Sequence, residues 1–161
     1  MTDPYIPLGA LHLLQAQTVL PLKEKYLRCV EQHDIENNKL FELIICMSHA
    51  MSTQLMSAVH ISIDTSFKRV HGKWQEFEIE TWDPIHMKSI VAARAFTTSQ
   101  SSSEHLILFT RIFEIATEDT GQPVQFHHIH GAGFQTWIAD AHKGQALGLD
   151  TISLPCNCNM Y

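Results

Sequence analysis

The stretch HISIDTSFKRVHG, residues 60–72, carries the first decision about the fold. Val59, Ile61 and Ile63 alternate with His60, Ser62 and Asp64, the period-two pattern of a strand with two unlike faces. Asp64 stands out within it, because aspartate is disfavoured in strands and costly to bury unless it is paired, hydrogen-bonded or bound to a metal. Either it ends the strand as a turn residue or it is an acid held out for use.

The segments that follow extend the pattern. WQEFEIETW (74–82) sets Phe77, Ile79 and Thr81 against Glu76, Glu78 and Glu80, and His71-Gly72 supplies the turn that makes a hairpin with the first strand. SIVAARAF (89–96) predicts a third strand, reached through Asp83-Pro84, which breaks the second. Ser101 and Glu104 then stand in the capping-box relation directly before HLILFTRIFEIA. The broad apolar face of Leu106, Phe109, Ile112, Phe113 and Ala116 predicts a helix across the sheet, burying Leu106, Phe109 and Phe113, with Gly121 and Pro123 at its end. VQFHHIH (124–130) and FQTWIAD (134–140) predict further strands, and AHKGQALGL a last helix.

Ahead of the quoted strand the signals are weaker. Residues 1–38 form an N-terminal helical lead-in, poorly specified and punctuated by Pro4, Pro7, Gly9 and Pro21, with VEQHDIENNK as a polar connector. Leu40, Ile44, Met47, Met51 and Leu55 share one helical face, so residues 39–57 are predicted helical, with a strand as the competing assignment for FELIICM. The tail DTISLPCNCNMY, residues 150–161, has no periodicity. The order of three consecutive strands, a helix, a further strand and a helix is α/β, and it opens as a ribonuclease H-like fold does.

Composition sets limits on function. A chain of 161 residues fits one domain with room for a core. Its formal charge of −6 argues against a free-standing nucleic-acid binder, which would carry a basic face. No apolar run approaches the roughly 18 residues of a membrane span, and Asp3 stands where a secretory signal would place positive charge, so an intracellular protein is expected. The four cysteines, Cys29, Cys46, Cys156 and Cys158, form no regular framework and are expected as reduced thiols.

Three groups of residues carry candidate chemistry. Asp64 and Asp140 close two predicted strands; together they can hold Mg²⁺ or Mn²⁺ through hard oxygen ligands, or each is a turn residue. His127, His128 and His130 form a cluster in which a strand would put His128 and His130 on one face, a spacing that chelates zinc. Cys156 and Cys158 are a C-x-C, however, unlike the C-x₂-C of zinc modules, and the bland reading is polar residues beside a turn. Lys68, Arg69, Lys73 and Lys143 line a phosphate path or are solvated surface, and Trp74, Trp82 and Trp137 are expected in or at the edge of the core. The Gly-Ala-Gly at 131–133 precedes no phosphate-loop pattern.

IDTSFKRVHGKWQEFEIETWD, SIVAARAFTTSQSSSEHLILFTRIFEIATEDTGQPVQFHHIHGAG and IADAHKGQALGL together resemble the Mutator-like, transposase-derived sequences of fungal genomes, over about residues 40–149. The resemblance implies a nuclear protein with a ribonuclease H-like core, where an Asp-Asp-Glu triad binds divalent metal and cuts DNA. Asp64 matches the first acid. Asp140 matches the second, although Ala141 replaces the glycine that usually follows it. Lys68, Arg69 and Lys143 fall where DNA contacts would lie. The similarity stops near Gly148-Leu149, and the twelve residues 150–161 contain no Glu for the third acid, whereas Glu76 and Glu78 lie in the wrong element. The domains so implied are the lead-in at 1–38, a ribonuclease H-like half-domain at 39–149 and an unrelated tail at 150–161. The function implied is a truncated or decayed transposase fragment that is not an active enzyme. The alternatives are a module that dimerises or binds a protein through an exposed sheet edge, and a small His-rich metal-binding protein.

Overall fold

In the computed structural model, which describes residues 5–35, 39–66, 72–139 and 143–153, the quoted strand is β3 (His60–Ser66). It pairs antiparallel with β4 (Gln75–Asp83), which pairs antiparallel with β5 (Lys88–Thr97), giving the expected meander. The β4–β5 turn is set by Asp83: its Oδ1 accepts from the backbone N–H of Ile85 at 2.9 Å, and its Oδ2 meets His86 Nδ1 at 2.5 Å. Alternation along β4 puts Phe77 and Ile79 in the core and Glu76, Glu78, Glu80 and Trp82 on the opposite face. Trp82 is therefore 53% exposed, not a core residue, while Trp74 is buried and Trp137 half-buried.

α3 (Ser102–Thr120) begins with the predicted reciprocal cap: Ser101 Oγ accepts from Glu104 N–H, and Glu104 Oε2 accepts from Ser101 N–H at 2.6 Å. Phe109 and Phe113 are buried as expected, and Phe109 meets Phe77 of the sheet edge-to-face at 5.6 Å. Leu106 is only half-buried; Leu108, Ile115 and His105 go inside with Phe109. The buried arc is wider than one stripe because α3 touches the sheet, α2 (His49–Ser57) and α5 (Lys143–Ser153) together. The α3–α5 approach is close: a Cβ at Gly148 would lie 2.8 Å from His105 Cβ, so only glycine fits there. α5 runs to Ser153, into the segment expected to lack periodicity.

Three assignments differ from the sequence reading. The helical lead-in expected at 1–38 holds α1 (Tyr5–Ala16), but it also holds a full strand, β1 (Leu27–Ile35), so the sheet begins before residue 39. β1 is an edge strand whose polar face hides the alternation. Residues 39–57 are not one helix. They split into β2 (Lys39–Cys46) and α2, which Ser48 caps by accepting from Met51 N–H at 3.3 Å. β2 lies between β1 and β5, and Phe41, Leu43 and Ile45 are fully buried on one face with Ile44 buried on the other. Apolar residues on both faces imitate a helical stripe. Residues 124–130 hold no strand; His127–His130 is a single helical turn, α4. The chain folds back on itself there, with His127 N–H donating to Phe134 O at 2.9 Å and Phe134 N–H to Gln125 O at 3.0 Å. Gly133, at φ +87°, permits this: a Cβ would sit 2.1 Å from Gln125 O.

The six strands run in the order β1-β2-β5-β4-β3-β6, where β6 (Thr136–Ala139) is parallel to β3 and every other neighbour antiparallel. Behind β6, Phe126, Phe134 and Trp137 form an aromatic cluster, with Phe134 and Trp137 centroids 5.3 Å apart. No helix of the described residues is long and apolar enough to cross a membrane.

Ionic contacts tie β1 to α3 at two places: Arg111 Nε lies 3.0 Å from Glu31 Oε2, and Arg28 reaches the last turn of the helix. Arg28 of β1 donates to Asp119 Oδ2 at 2.8 Å, and the two side chains are 5% and 0% exposed. Ser52 of α2 donates to the same oxygen. Asp119 lies in the last turn of α3, where the helix dipole disfavours an anion, so Arg28 compensates both burial and dipole. Asp119→Ala leaves the buried guanidinium only the exposed Glu118 carboxylate, at 3.4 Å, and is expected to cost about 3 kcal/mol, read as a lower midpoint in urea unfolding. The double variant Arg28→Met/Asp119→Leu, which removes both charges, is expected to recover most of that loss.

Candidate functional site

β3 brings Asp64 to the face opposite the core, because Ile61 and Ile63 on either side of Ser62 are drawn inward at 1% and 4% exposure. Register then determines its neighbours. Asp64 lies opposite Glu78 of β4, Glu78 opposite Arg94 of β5, and Arg94 opposite Cys46 of β2. Directly opposed residues share a face, so an acid, an acid, a guanidinium and a thiol form one row across four strands.

The row is internally compensated at its middle. Arg94 donates to Glu78 Oε1 from Nε at 2.9 Å and from Nη2 at 2.5 Å, and its Nε also lies 3.1 Å from Glu76 Oε1. The hydrogen bond to Glu78 raises the Arg94 pKa above its ordinary value against the opposing effect of burial. Glu42, further along the same face, is 3% exposed and pairs with Lys73 Nζ at 3.1 Å. Asp64 differs. It is exposed, and its carboxylate makes no hydrogen bond or ion pair among the described residues.

On the other side of β3, β6 pairs in parallel so that Ala139 lies opposite Ile63, the residue before Asp64. Asp140, Lys68 and Arg69 lie outside the described residues, as does the side chain of Lys143, the first residue of α5. The residue after Asp64 is anchored from below: Gln145 of α5, 1% exposed, donates from Nε2 to Thr65 Oγ1 at 2.8 Å. The Gln145 amide oxygen is buried with no hydrogen-bond partner. Gln145 thus holds the start of α5 against the end of β3.

Glu78 and Arg94 were not singled out as partners of Asp64 by the sequence reading, which set Glu76 and Glu78 aside. The hairpin was legible but its register was not: a two-residue turn at His71-Gly72 would pair positions whose numbers sum to 143 and set Asp64 opposite Ile79, whereas the observed pairs sum to 142. His71 lies outside the described residues.

The histidine cluster loses the geometry proposed for it. On the helical turn α4, His128 and His130 no longer share a face, and His130 Nδ1 accepts from the backbone N–H of Phe126 at 2.9 Å. Among the described residues no three His, Cys, Asp or Glu side chains are grouped to hold a metal ion. Cys156 and Cys158 lie outside the described residues, and Cys29 and Cys46 are free thiols.

Compared with protein-family models, with curated proteins and with solved structures, the chain matches none.

Cys29 is an inert thiol. Burial first, then the neighbouring Glu31 carboxylate, pushes its pKa to about 12. At pH 8 the thiolate is the reactive form, so iodoacetamide is expected to leave Cys29 unmodified in the native protein and to label it in urea. Peptide mass spectrometry at increasing times reads both states.

Proposed function

We propose that the chain is a transposase-derived half of a ribonuclease H-like domain, in which Asp64 and Asp140 hold one divalent cation and which does not by itself cut or join DNA. One observation supports the reading above the others: β6 returns parallel beside β3 after the α3 crossover and pairs Ala139 with Ile63. The chain therefore reaches each aspartate one residue after a paired position on neighbouring strands. Asp64 suits a hard cation, since its carboxylate is exposed and uncommitted among the described residues. Mg²⁺ or Mn²⁺, when bound there, would supply the charge that activates water and offsets phosphate. Lys68, Arg69 and Lys143 are the cations proposed to meet the DNA backbone.

The protein's own residues explain why cleavage is not expected. In-line displacement at a phosphodiester uses two opposed cations, and a third acid helps to place the second. Glu78 stands beside Asp64 but is engaged by Arg94 at 2.5 Å. Freeing it would cost both Arg94 hydrogen bonds to Glu78 and leave the guanidinium with Glu76, at 3.1 Å. DNA binding is expected to be weak and salt-sensitive, because a chain of formal charge −6 releases few counterions. Mn²⁺ titration followed by electron paramagnetic resonance is expected to give one bound ion, with affinity at least tenfold lower in Asp64→Asn. Supercoiled plasmid with Mg²⁺ or Mn²⁺ is expected to stay unnicked. Nicking that disappears in Asp64→Asn would overturn the non-catalytic part of the reading.

A second reading, a self-association module, is favoured by the edge of the sheet. β6 is the terminal strand of the six, only four residues long, and Ile138 on it is 60% exposed. An open edge offers unpaired backbone groups to another strand. Sedimentation velocity then distinguishes the readings: a concentration-dependent dimer that Ile138→Lys converts to monomer supports the module.

A further inference from the structure

α1 lies on the sheet face opposite α3, over β1, β2 and β5, where Leu27, Ile44 and Trp74 form a second, smaller core with Ala10 and Phe96 against it. Between the helix and the sheet lies a groove of about 440 Å³, open to solvent at Leu13 and Tyr26 and within the range of small-molecule sites at roughly 300–1,000 Å³.

The lining determines what would fit. Ile44, Cys46 and Phe96 make the floor, Ala10 and Leu13 the roof, and Tyr26 and Trp74 the aromatic sides. None of the lining residues is charged, and the sequence from Tyr5 to Leu22 contains no Asp, Glu, Lys or Arg. The polar groups are few. Gln17 already uses Oε1 to accept from the N–H groups of Tyr26 and Leu27, at 2.8 and 3.2 Å, leaving its amide N–H₂, the Tyr26 hydroxyl and the Cys46 thiol. Neighbouring cavities differ: one of about 290 Å³ is lined by Arg28, Glu31, Arg111 and Glu114. The charge beside the α1 lining, Arg94 opposite Cys46, is already held by Glu78 and Glu76, so an ion entering here would lose its hydration without an uncommitted partner among the described residues.

We propose that the space between α1 and the sheet is a binding site for an uncharged, apolar small molecule, with aromatic faces at Tyr26, Trp74 and Phe96 to hold a flat ring. It sits over β1, β2 and β5, at the other end of the sheet from β3 and β6, and does not depend on the carboxylate reading.

The neutral fluorophore N-phenyl-1-naphthylamine, added to the full chain, tests this. One saturable site is expected, and Ala10→Phe and Cys46→Phe, which fill the groove from its two walls, are expected each to weaken it at least tenfold. Trp82→Ala, at an exposed aromatic elsewhere, is expected to leave it unchanged. Circular dichroism establishes which filled variants are folded. A measurement that needs neither is tryptophan-sensitised emission of the probe, expected to fall several-fold in Trp74→Phe while directly excited binding persists. Non-saturable binding, unchanged affinity in a folded filled variant, or sensitised emission indifferent to Trp74 would overturn the proposal. So would a dimer in sedimentation that the probe dissociates, since the groove would then be a seam between two copies.

Discussion

Two strands that run parallel as neighbours cannot be joined by a tight turn; the chain must be carried back the length of the sheet before the second strand can start. In this protein the constraint falls between β3 and β6, and α3 meets it. The helix leaves the sheet after β5, crosses behind the meander with Phe109 against Phe77, and delivers the chain to the fold-back at Gly133. Everything at the candidate site follows from that return. Without it β6 has no partner, α5 has no base at Thr65, and the row led by Asp64 loses one flank.

The fold-back is the tightest point of the route. Gln125 and Phe134 come together through a backbone approach that excludes any side chain at position 133, and Phe126 then stacks on Trp137 while Phe134 meets both rings edge-to-face. Local geometry and aromatic packing cooperate there. The close approach fixes where β6 begins, and the cluster holds it on the sheet.

How much of this was legible in the sequence depended on whether a signal was local. The alternation in 60–66 and 75–83 and the Ser101–Glu104 cap are short-range patterns, and each appears where expected. β1 was missed and β2 stood only as the competing assignment for FELIICM, for opposite reasons. One is an edge strand too polar to show alternation; the other is buried on both faces and shows apolar residues at every spacing. At 124–130, β-favouring residues form a helical turn because Phe134, a later residue, captures the backbone of His127. Asp64 was legible as an unusual strand residue. Its relation to Glu78 and Arg94 was not, because register across strands is a property of the turn that joins them.

The Arg28–Asp119 pair also constrains when the molecule can finish folding. Its partners are 91 residues apart, so at a synthesis rate of roughly 5–20 residues per second β1 leaves the ribosome roughly 5 to 20 seconds before Asp119 exists to receive it. In that interval the β1–β2 ribbon has hydrogen bonds but no anion for its guanidinium, and apolar side chains such as Phe41 and Leu43 have no helix above them. A two-stranded ribbon of that kind is marginal in water. The N-terminal strands are therefore the part of the nascent chain most in need of shelter, and native structure there is a late event although it comes first in the sequence.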